Sequence, residues 1–410
     1  MGQSEKKLVV LSLSGTSVAS GGGSGLADDI NARLANRGYE IHSLTLNFQG
    51  DALETEILDG VHFHRIPRRQ LKSAFRIYRA IKSRINRLLD TIDVDLVHIH
   101  DPMVGFLAHF NARLKKIPSI CHFSQSGFGV GKNYSEKVQG GTPWPKGLVR
   151  VRGLAQKSCL KSSSSIIFLS RYAKKHFIDS YSVKKPRLRE IPAAVDVEIF
   201  HPVNSGESIE DLKRALGLPT EGLLFLMVAH PEAEKGQEAL LLAIRKALDS
   251  REKVGEEFLL LIAEDSLAPS GMMDRVERHG LTSQVRFLDS LGPQELSAYY
   301  RLADVFLLPA PAPEDLETEA IKALASGVPV LAPMAGGMAE ILRPIDESLL
   351  YWRDDPQSMA NSILAVLAAP EKIRALKSRC HKAALIQHSW ETILDRIEEE
   401  YKVVARKLRH

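Results

Sequence analysis

The chain has 410 residues, and since one hydrophobic core rarely serves a chain of this length, we expect two domains of about 200 residues each. Apolar residues make up 44% and charged residues 25%, a balance typical of soluble globular proteins. The formal net charge of +4 is too small to indicate a nucleic-acid partner, and no apolar run approaches the ~18 residues that span a bilayer.

The three cysteines, Cys121, Cys159 and Cys380, are widely separated and form no C-x-x-C motif. This odd, scattered set argues for a reducing compartment and against a disulfide framework or a zinc site. The first residues lead into only a short apolar segment, without the apolar region or cleavage site of a signal peptide. We therefore expect a cytoplasmic protein.

Strands and helices alternate through the first half of the chain. Residues 8–13 form a nearly continuous apolar run, typical of a strand buried on both faces. A helix is predicted at 26–36, because Gly38 lies where a helix-ending glycine is expected. Further strands are predicted at 40–46, 95–99, 119–123, 165–169 and 187–191. Alternation of this kind predicts a parallel sheet.

Residues 65–87 carry basic side chains and no acidic ones. From about Arg68 the apolar residues recur at helical spacing, so a basic amphipathic helix is predicted over 68–89. A surface helix that buries its apolar stripe is the simpler interpretation. The alternative is peripheral docking on the anionic inner face of a membrane.

Two stretches of the first half are rich in glycine. Residues 21–25 lie between the first strand and the first helix, where a glycine turn lets the backbone approach a phosphate. They do not match the dinucleotide fingerprint, and a turn without a ligand is the alternative. Residues 124–147 form a loop so long that it is expected to be either functional or mobile.

A second α/β series follows a polar segment that begins near Phe200. Strands are predicted at 223–229, 258–263, 285–288, 305–308 and 328–331. Helices are predicted at 236–248, 294–302, 317–326 and 390–407. Two such series in one chain predict two α/β domains.

Several residues of this second series converge on the carboxyl edge of its sheet. His230 and Lys235 follow the first strand, where ligands of open α/β sheets gather. A cation there suits a diphosphate leaving group, whose developing charge needs stabilisation. A proline-rich segment brings Glu314 to the same edge, and Gly336-Gly337 opens a helix as a second anion-binding turn. Each feature alone has an ordinary surface explanation, but their convergence favours a ligand site.

Motifs along nearly the whole chain occur in the order of one known family. In the first half they lie at Gly21-Gly22 and at 34–40, 93–100, 168–170 and 191–202. In the second half they lie at 228–236, 285–309, 323–330, 336–340 and 389–401. Together these motifs resemble the retaining GT-B glycosyltransferases of family four, the glycosyl transferases group 1.

The resemblance implies two Rossmann-like, doubly wound α/β domains that face each other across a cleft. Residues 1–202 would form the N-terminal, acceptor-side domain and residues 203–386 the C-terminal, nucleotide-sugar-binding domain. Residues 387–410 would form a helix that packs back on the N-terminal domain.

The family's Glu-x7-Glu motif is only half present in this chain. Its first Glu, which contacts the sugar hydroxyls, matches Glu314, whereas Lys322 occupies the position of the second, which contacts the ribose hydroxyls. A lysine has no acceptor atom, so it cannot receive hydrogen bonds from those hydroxyls. Glu319 lies one helical turn earlier and is a partial substitute.

The family's E-G-F-G segment is replaced here by Glu314, Asp315, Leu316 and Glu317. Both glycines that let backbone N–H groups reach the diphosphate are lost, and two carboxylates are brought near it. Like charges 4 Å apart cost about 4 kcal/mol at an effective dielectric constant near 20, so the usual diphosphate pose is expected to be altered or abandoned.

The remaining site residues follow from the same resemblance. His230 stands in for the family's phosphate-binding arginine, while Lys235 is retained. On the acceptor side, Gly21 and Gly22 form the loop that approaches the acceptor or phosphate. The family's histidine in this domain has no clear match, because Ser124 occupies its place and His122 lies two positions earlier.

The implied function is transfer of a sugar, with retention, from a UDP- or GDP-linked donor to an acceptor hydroxyl in glycan or glycolipid biosynthesis. The acceptor would be a glycan, a lipid-linked molecule or a small molecule, and neither a metal nor a cofactor is expected. The alternative is a degenerate GT-B protein that acts as a binding partner or scaffold for an active glycosyltransferase. Lys322, Asp315 and Glu317 favour the alternative, whereas Lys235, Glu314 and Gly336-Gly337 favour an enzyme.

Overall fold

The computed structural model describes residues 7–16, 25–47, 53–123, 152–180, 187–229, 234–250, 257–264, 271–288, 291–309, 314–353 and 355–406. The predicted loop 124–147 lies outside these ranges. The chain divides into two compact units, the first formed by Met1–Ile191 with Leu394–His410 and the second by Pro192–Ile393. Among the described helices, none combines the length and the apolar character needed to cross a bilayer.

The first unit contains an eight-stranded sheet in the order β3-β4-β2-β1-β5-β6-β7-β8. Its strands are β1 Val9–Thr16, β2 Glu40–Asn47, β3 Thr55–Leu58, β4 Val61–Pro67, β5 Leu96–Ile99, β6 Ser119–Phe123, β7 Ser165–Phe168 and β8 Arg187–Glu190. All neighbouring strands pair in parallel except β3 and β4. The predicted parallel sheet is therefore present, with one antiparallel strand added at its edge.

The β3–β4 hairpin was not predicted from the sequence. Its two-residue turn is Asp59-Gly60, and both residues have positive φ angles, of 50° and 77°. That geometry fits the twist of a hairpin, and an aspartate followed by glycine tolerates it. The Asp-Gly pair in the sequence is therefore a hairpin signal. It was not sufficient, because β3 is a short, largely exposed edge strand without an apolar pattern.

The second unit contains a six-stranded parallel sheet in the order β11-β10-β9-β12-β13-β14. Its strands are β9 Leu223–Ala229, β10 Phe258–Glu264, β11 Val285–Leu288, β12 Val305–Leu307, β13 Val330–Pro333 and β14 Leu350–Tyr351. The chain runs outward from β9 to one edge of the sheet and then returns to run outward from β12 to the other. Buried aliphatic and aromatic side chains of these strands form the centre of the second core.

Helices connect the strands of both sheets. In chain order the described α-helices are α1 Leu26–Asn36, α2 Ala74–Thr91, α3 Pro102–His109, α4 Arg152–Ser162, α5 Arg171–Ser180, α6 Ile209–Ala215, α7 Glu234–Asp249, α8 Met272–Arg278, α9 Pro293–Leu302, α10 Glu314–Ala325, α11 Gly336–Leu342, α12 Pro356–Ala368, α13 Pro370–Arg374, α14 Lys377–His388 and α15 Trp390–Arg406. Each unit is thus an α/β domain, which confirms the fold class expected from the alternation of strands and helices.

The basic helix begins later than predicted. Arg68–Gln70 form a single 3-10 turn, and α2 starts only after Ser73, whose hydroxyl accepts a hydrogen bond from the backbone N–H of Arg76 at 3.3 Å. A serine in this position caps the N-terminus of a helix. The residues before Ser73 are therefore outside the helix, although their apolar side chains recur at helical spacing. The apolar stripe of α2 is buried, whereas Phe75 is 65% exposed.

Residues 192–202, which follow β8, pack within the second unit. The backbone N–H of Val195 donates to the carbonyl of His388 at 2.7 Å. The Phe200 ring meets the Tyr300 ring edge-on, with centroids 5.6 Å apart. These contacts explain why the compact units divide after Ile191.

Helix α15 returns to the first unit, as the family resemblance implied. The Glu400 side chain is fully buried and accepts hydrogen bonds from Ser165 Oγ at 2.6 Å and Arg187 Nε at 2.9 Å. Arg189 Nε lies 3.1 Å from the same carboxylate. The buried Tyr401 hydroxyl lies 2.7 Å from His98 Nδ1. The helix is therefore joined to β5, β7 and β8 by buried polar contacts.

We expect Glu400→Gln to lower the free energy of unfolding by about 2 kcal/mol, because it removes the charge from a buried carboxylate that two arginines contact. Both arginines are about one-third exposed, so water compensates part of the loss. Urea unfolding followed by circular dichroism measures the change.

The matched control is Glu399→Gln, on the adjacent residue of the same helix. Glu399 is 62% exposed and lies 3.6 Å from Arg189, so its substitution should cost less than about 0.5 kcal/mol. Equal effects of the two variants would show that the buried carboxylate does not stabilise the first unit.

Candidate functional site

Strands β9 and β12 lie side by side in the second sheet, although β10 and β11 separate them in sequence. The direction in which strands are added reverses between them, and ligands of open α/β sheets bind beyond the carboxyl ends of strands at such a point. Helix α7 follows β9 and has Lys235 as its second residue, while α10 follows β12 and begins at Glu314. The topology therefore brings both backbone positions to this edge of the sheet.

Part of the predicted site lies outside the described residues. This applies to His230, Gly21, Gly22 and Ser124, and to the side chains of Lys235, Glu314, Asp315 and Leu316. Those assignments stay predictions. Glu317, Lys322, Gly336, Gly337 and His122 are described and have definite surroundings.

Glu317 lies beside the glycine pair that opens α11. Gly336 has a φ of +74°, and a Cβ atom placed on it would lie 3.0 Å from Glu317 Oε1. Glycine suits this backbone conformation, which side chains rarely adopt. The turn expected to receive an anion thus has a carboxylate of the chain itself next to it.

Lys322 is paired with Glu319 on the same face of α10. Its Nζ donates to Glu319 Oε1 at 2.5 Å and lies 5.3 Å from the centre of the Phe200 ring. The other oxygen of Glu319 accepts a hydrogen bond from the Tyr300 hydroxyl at 2.6 Å. Glu319, the partial substitute for the missing second glutamate, is therefore already engaged through both carboxylate oxygens.

Aromatic packing fixes this pair in place. The Tyr300 ring is buried, meets Phe200 edge-on and stacks on Phe306 of β12 with centroids 5.7 Å apart. Burial, followed by the neighbouring Glu319, raises the pKa of Tyr300 well above its ordinary value, so its hydroxyl remains a donor. Replacing Glu319 in this arrangement would leave a buried hydroxyl without its acceptor.

The first unit groups three histidines at the carboxyl ends of β5 and β6. His98 lies in β5, His122 in β6, and His100 directly follows β5. Burial lowers the pKa of His122 from 6.5 to about 4, and burial with the neighbouring rings lowers the pKa of His98 and His100 well below 6.5. All three rings are therefore neutral at pH 7.

Sequence reasoning singled out His122 but assigned no role to His98 and His100. The available signal was their spacing, because residues two apart on a strand point to the same face. The contact with His122 could not be predicted from spacing alone, since it depends on the register between β5 and β6.

Two family models match the chain over most of its length. Residues 20–199 match Glycosyltransferase Family 4, and residues 208–383 match Glycosyl transferases group 1. The chain is 28% identical over 265 residues to D-inositol 3-phosphate glycosyltransferase of Segniliparus rotundus, a match that covers 64% of this chain and 57% of that protein.

Solved structures show the same fold. Sucrose-phosphate synthase from Thermosynechococcus elongatus superimposes with a TM-score of 0.76 at 19% identity, over 97% of this chain and 98% of that one. Anabaena HepE in complex with UDP-glucose superimposes with a TM-score of 0.69 at 17% identity, over 97% of this chain and 100% of that one. With its two α/β units and a C-terminal helix that returns to the first, the chain belongs to the family 4 glycosyltransferases of the GT-B fold.

Proposed function

We propose that the protein transfers a sugar from a nucleoside-diphosphate sugar to an acceptor hydroxyl, with retention at the anomeric carbon. The observation that carries the proposal is the β9–β12 switch point, beyond which the first turns of α7 and α10 contain Lys235 and Glu314, the two residues that match the family motifs. The likeness to HepE, whose structure contains UDP-glucose, supports a uridine diphosphate sugar as donor. The likeness to a D-inositol 3-phosphate glycosyltransferase supports a small polyol phosphate among the acceptors to be tested.

In the proposed reaction, the acceptor oxygen bonds to the anomeric carbon on the face from which the diphosphate departs. The bond between the anomeric carbon and the phosphate oxygen breaks, and a leaving phosphate oxygen takes the hydroxyl proton. Lys235 and His230 would stabilise the charge that develops on the diphosphate, and Glu314 would orient the sugar hydroxyls. The scheme uses these side chains alone, so it requires neither a metal at the diphosphate nor a cofactor.

The second unit has features that favour an enzyme and others that favour a second candidate function. Glu317 beside Gly336 and the Lys322–Glu319–Tyr300 contacts favour a degenerate GT-B protein that serves as a binding partner for an active glycosyltransferase. We favour the enzyme, because Lys235, Glu314 and the glycine pair are all retained at one sheet edge. We also propose a cytoplasmic location, in which α2 is a surface helix that buries its apolar stripe. Contact of its exposed basic residues with the inner face of a membrane is the alternative.

We expect saturable binding of a UDP- or GDP-sugar and slow hydrolysis of that donor, which an acceptor converts to transfer. Calorimetry with UDP-glucose and GDP-mannose measures binding, and release of UDP or GDP with and without acceptors measures turnover. Binding of neither donor would contradict this expectation and favour the scaffold.

We expect Glu317→Gln to increase affinity for UDP roughly tenfold, because it removes a carboxylate from the turn at Gly336 and relieves repulsion of the diphosphate. The control is Glu340→Gln, on an exposed residue of α11, the helix that begins at Gly336. If calorimetry finds no difference between the two variants, the diphosphate does not approach Gly336.

We expect Lys322→Glu to change nucleotide affinity severalfold, because it restores the family's carboxylate and breaks the 2.5 Å bond to Glu319. Lys246→Glu, which reverses the charge of a partly exposed residue on α7, serves as the control. An unchanged affinity for UDP in Lys322→Glu would place the nucleotide away from this helix.

A further inference from the structure

The three histidines of the first unit lie on one face of its sheet. The register pairs His98 with Ile120 and Ile99 with Cys121, so the next position, His100, falls beside His122. Alternation along parallel strands then directs all three side chains to the same side. One ring nitrogen from each histidine lies within 4.8 Å of the corresponding nitrogens of the other two.

The strands that carry these rings are fixed on both sides. His98 is paired with Ser12 of β1 as well as with β6, and His122 is paired with Ile167 of β7. The backbone N–H of His100 donates to the carbonyl of Leu13 at 2.9 Å. The sheet therefore fixes the backbone positions of the three histidines in the absence of a ligand.

Several ring nitrogens of this group lack a hydrogen-bond partner. These are Nε2 of His98, Nε2 of His100 and both ring nitrogens of His122, as far as the described ranges of the chain extend. His98 is fully buried and His122 is 4% exposed. A buried polar atom without a hydrogen-bond partner destabilises the folded state, so a ligand that pairs with these nitrogens would stabilise it.

The remaining nitrogen of His98 is oriented by α15. His98 Nδ1 lies 2.7 Å from the Tyr401 hydroxyl. With its proton on Nδ1, the ring donates to that oxygen and keeps its lone pair on Nε2, the nitrogen that has no hydrogen-bond partner among the described residues. In many proteins a metal-binding histidine is oriented by a hydrogen bond from its other ring nitrogen.

A second histidine group in the same sheet provides a contrast. His42 Nδ1 lies 3.0 Å from His64 Nε2, and His42 Nε2 lies 3.0 Å from Glu40 Oε1. These rings satisfy one another and a carboxylate, whereas the rings of the first group do not. Only the group formed by His98, His100 and His122 offers three nitrogens to a common centre among the described residues.

We propose that His98, His100 and His122 bind one Zn²⁺ ion in the first unit. Imidazole nitrogens suit zinc, which takes a tetrahedral arrangement and leaves its fourth position here to water or to an oxygen of a ligand. Bonds of about 2.0–2.1 Å separate tetrahedral ligand nitrogens by roughly 3.3 Å, so the rings would approach one another by about 1.5 Å at most. All three ligands belong to the first unit, and the proposal does not depend on the proposed transfer reaction.

The test uses the full-length chain after removal of metals with a chelator. Titration with Co²⁺ should produce the visible absorption of a tetrahedral cobalt site at about one ion per chain, and Zn²⁺ should displace it. Zn²⁺ should also raise the midpoint of thermal unfolding, because it binds the folded state. Absence of both effects in the wild-type chain would overturn the proposal.

Two substitutions locate the site. His122→Ala should abolish the cobalt spectrum and the thermal shift, while His62→Ala, on β4 of the same sheet, should leave both unchanged. If metal-free His122→Ala fails to give the wild-type circular dichroism spectrum, His100→Gln replaces it, since that side chain is only partly buried. Wild-type metal binding by the folded variant would show that the ion binds elsewhere and overturn the assignment.

Tyr401→Phe separates a positioning role from a merely structural one. It removes the hydroxyl that orients His98, so Zn²⁺ affinity should fall about 10–100-fold while the stoichiometry stays at one. Unchanged affinity in this variant would refute the role of Tyr401 in the proposed site.

Discussion

Parallel pairing is the constraint from which the rest of this structure follows. Because parallel strands all end at the same edge of a sheet, residues far apart in sequence meet there without any specific contact to bring them together. In the second unit this edge collects the starts of α7, α10 and α11. In the first unit it collects His98, His100 and His122, so both candidate sites result from one rule of sheet geometry.

This chain has the fold of its family but differs from the family pattern in its charged residues. At the start of α11 a carboxylate of the chain lies beside the glycine turn that is predicted to receive an anion, and on α10 Lys322 occupies a position where the family motif has a carboxylate. The two changes lie on one helix and have opposite signs, since Glu317 adds a negative charge and Lys322 removes one. A donor bound here would therefore meet a rearranged charge distribution rather than a uniformly more negative one.

The fold was largely predictable because continuous apolar runs indicate buried strands, as for β9, whose bounds were predicted without error. The start of α2 was predicted too early, because apolar residues recur at helical spacing on both sides of Ser73. Only the cap at Ser73 shows where the helix begins. The Lys322–Glu319 pair follows from a spacing of three residues on a helix. The bond from Tyr300 to Glu319 could not be predicted, because it joins α9 to α10 through packing that no local pattern encodes.

The return of α15 has a consequence for how the protein is made. The ribosome synthesises residues 192–393 before Glu400 and Tyr401, so the strands of the first unit are made first but lack this helix until the whole second unit has been synthesised. During that interval Ser165, Arg187 and Arg189 lack the carboxylate of Glu400. The ring of His98 likewise lacks the hydroxyl of Tyr401. Domains usually fold in the order of their synthesis. Here the nascent second domain is complete in sequence earlier than the first.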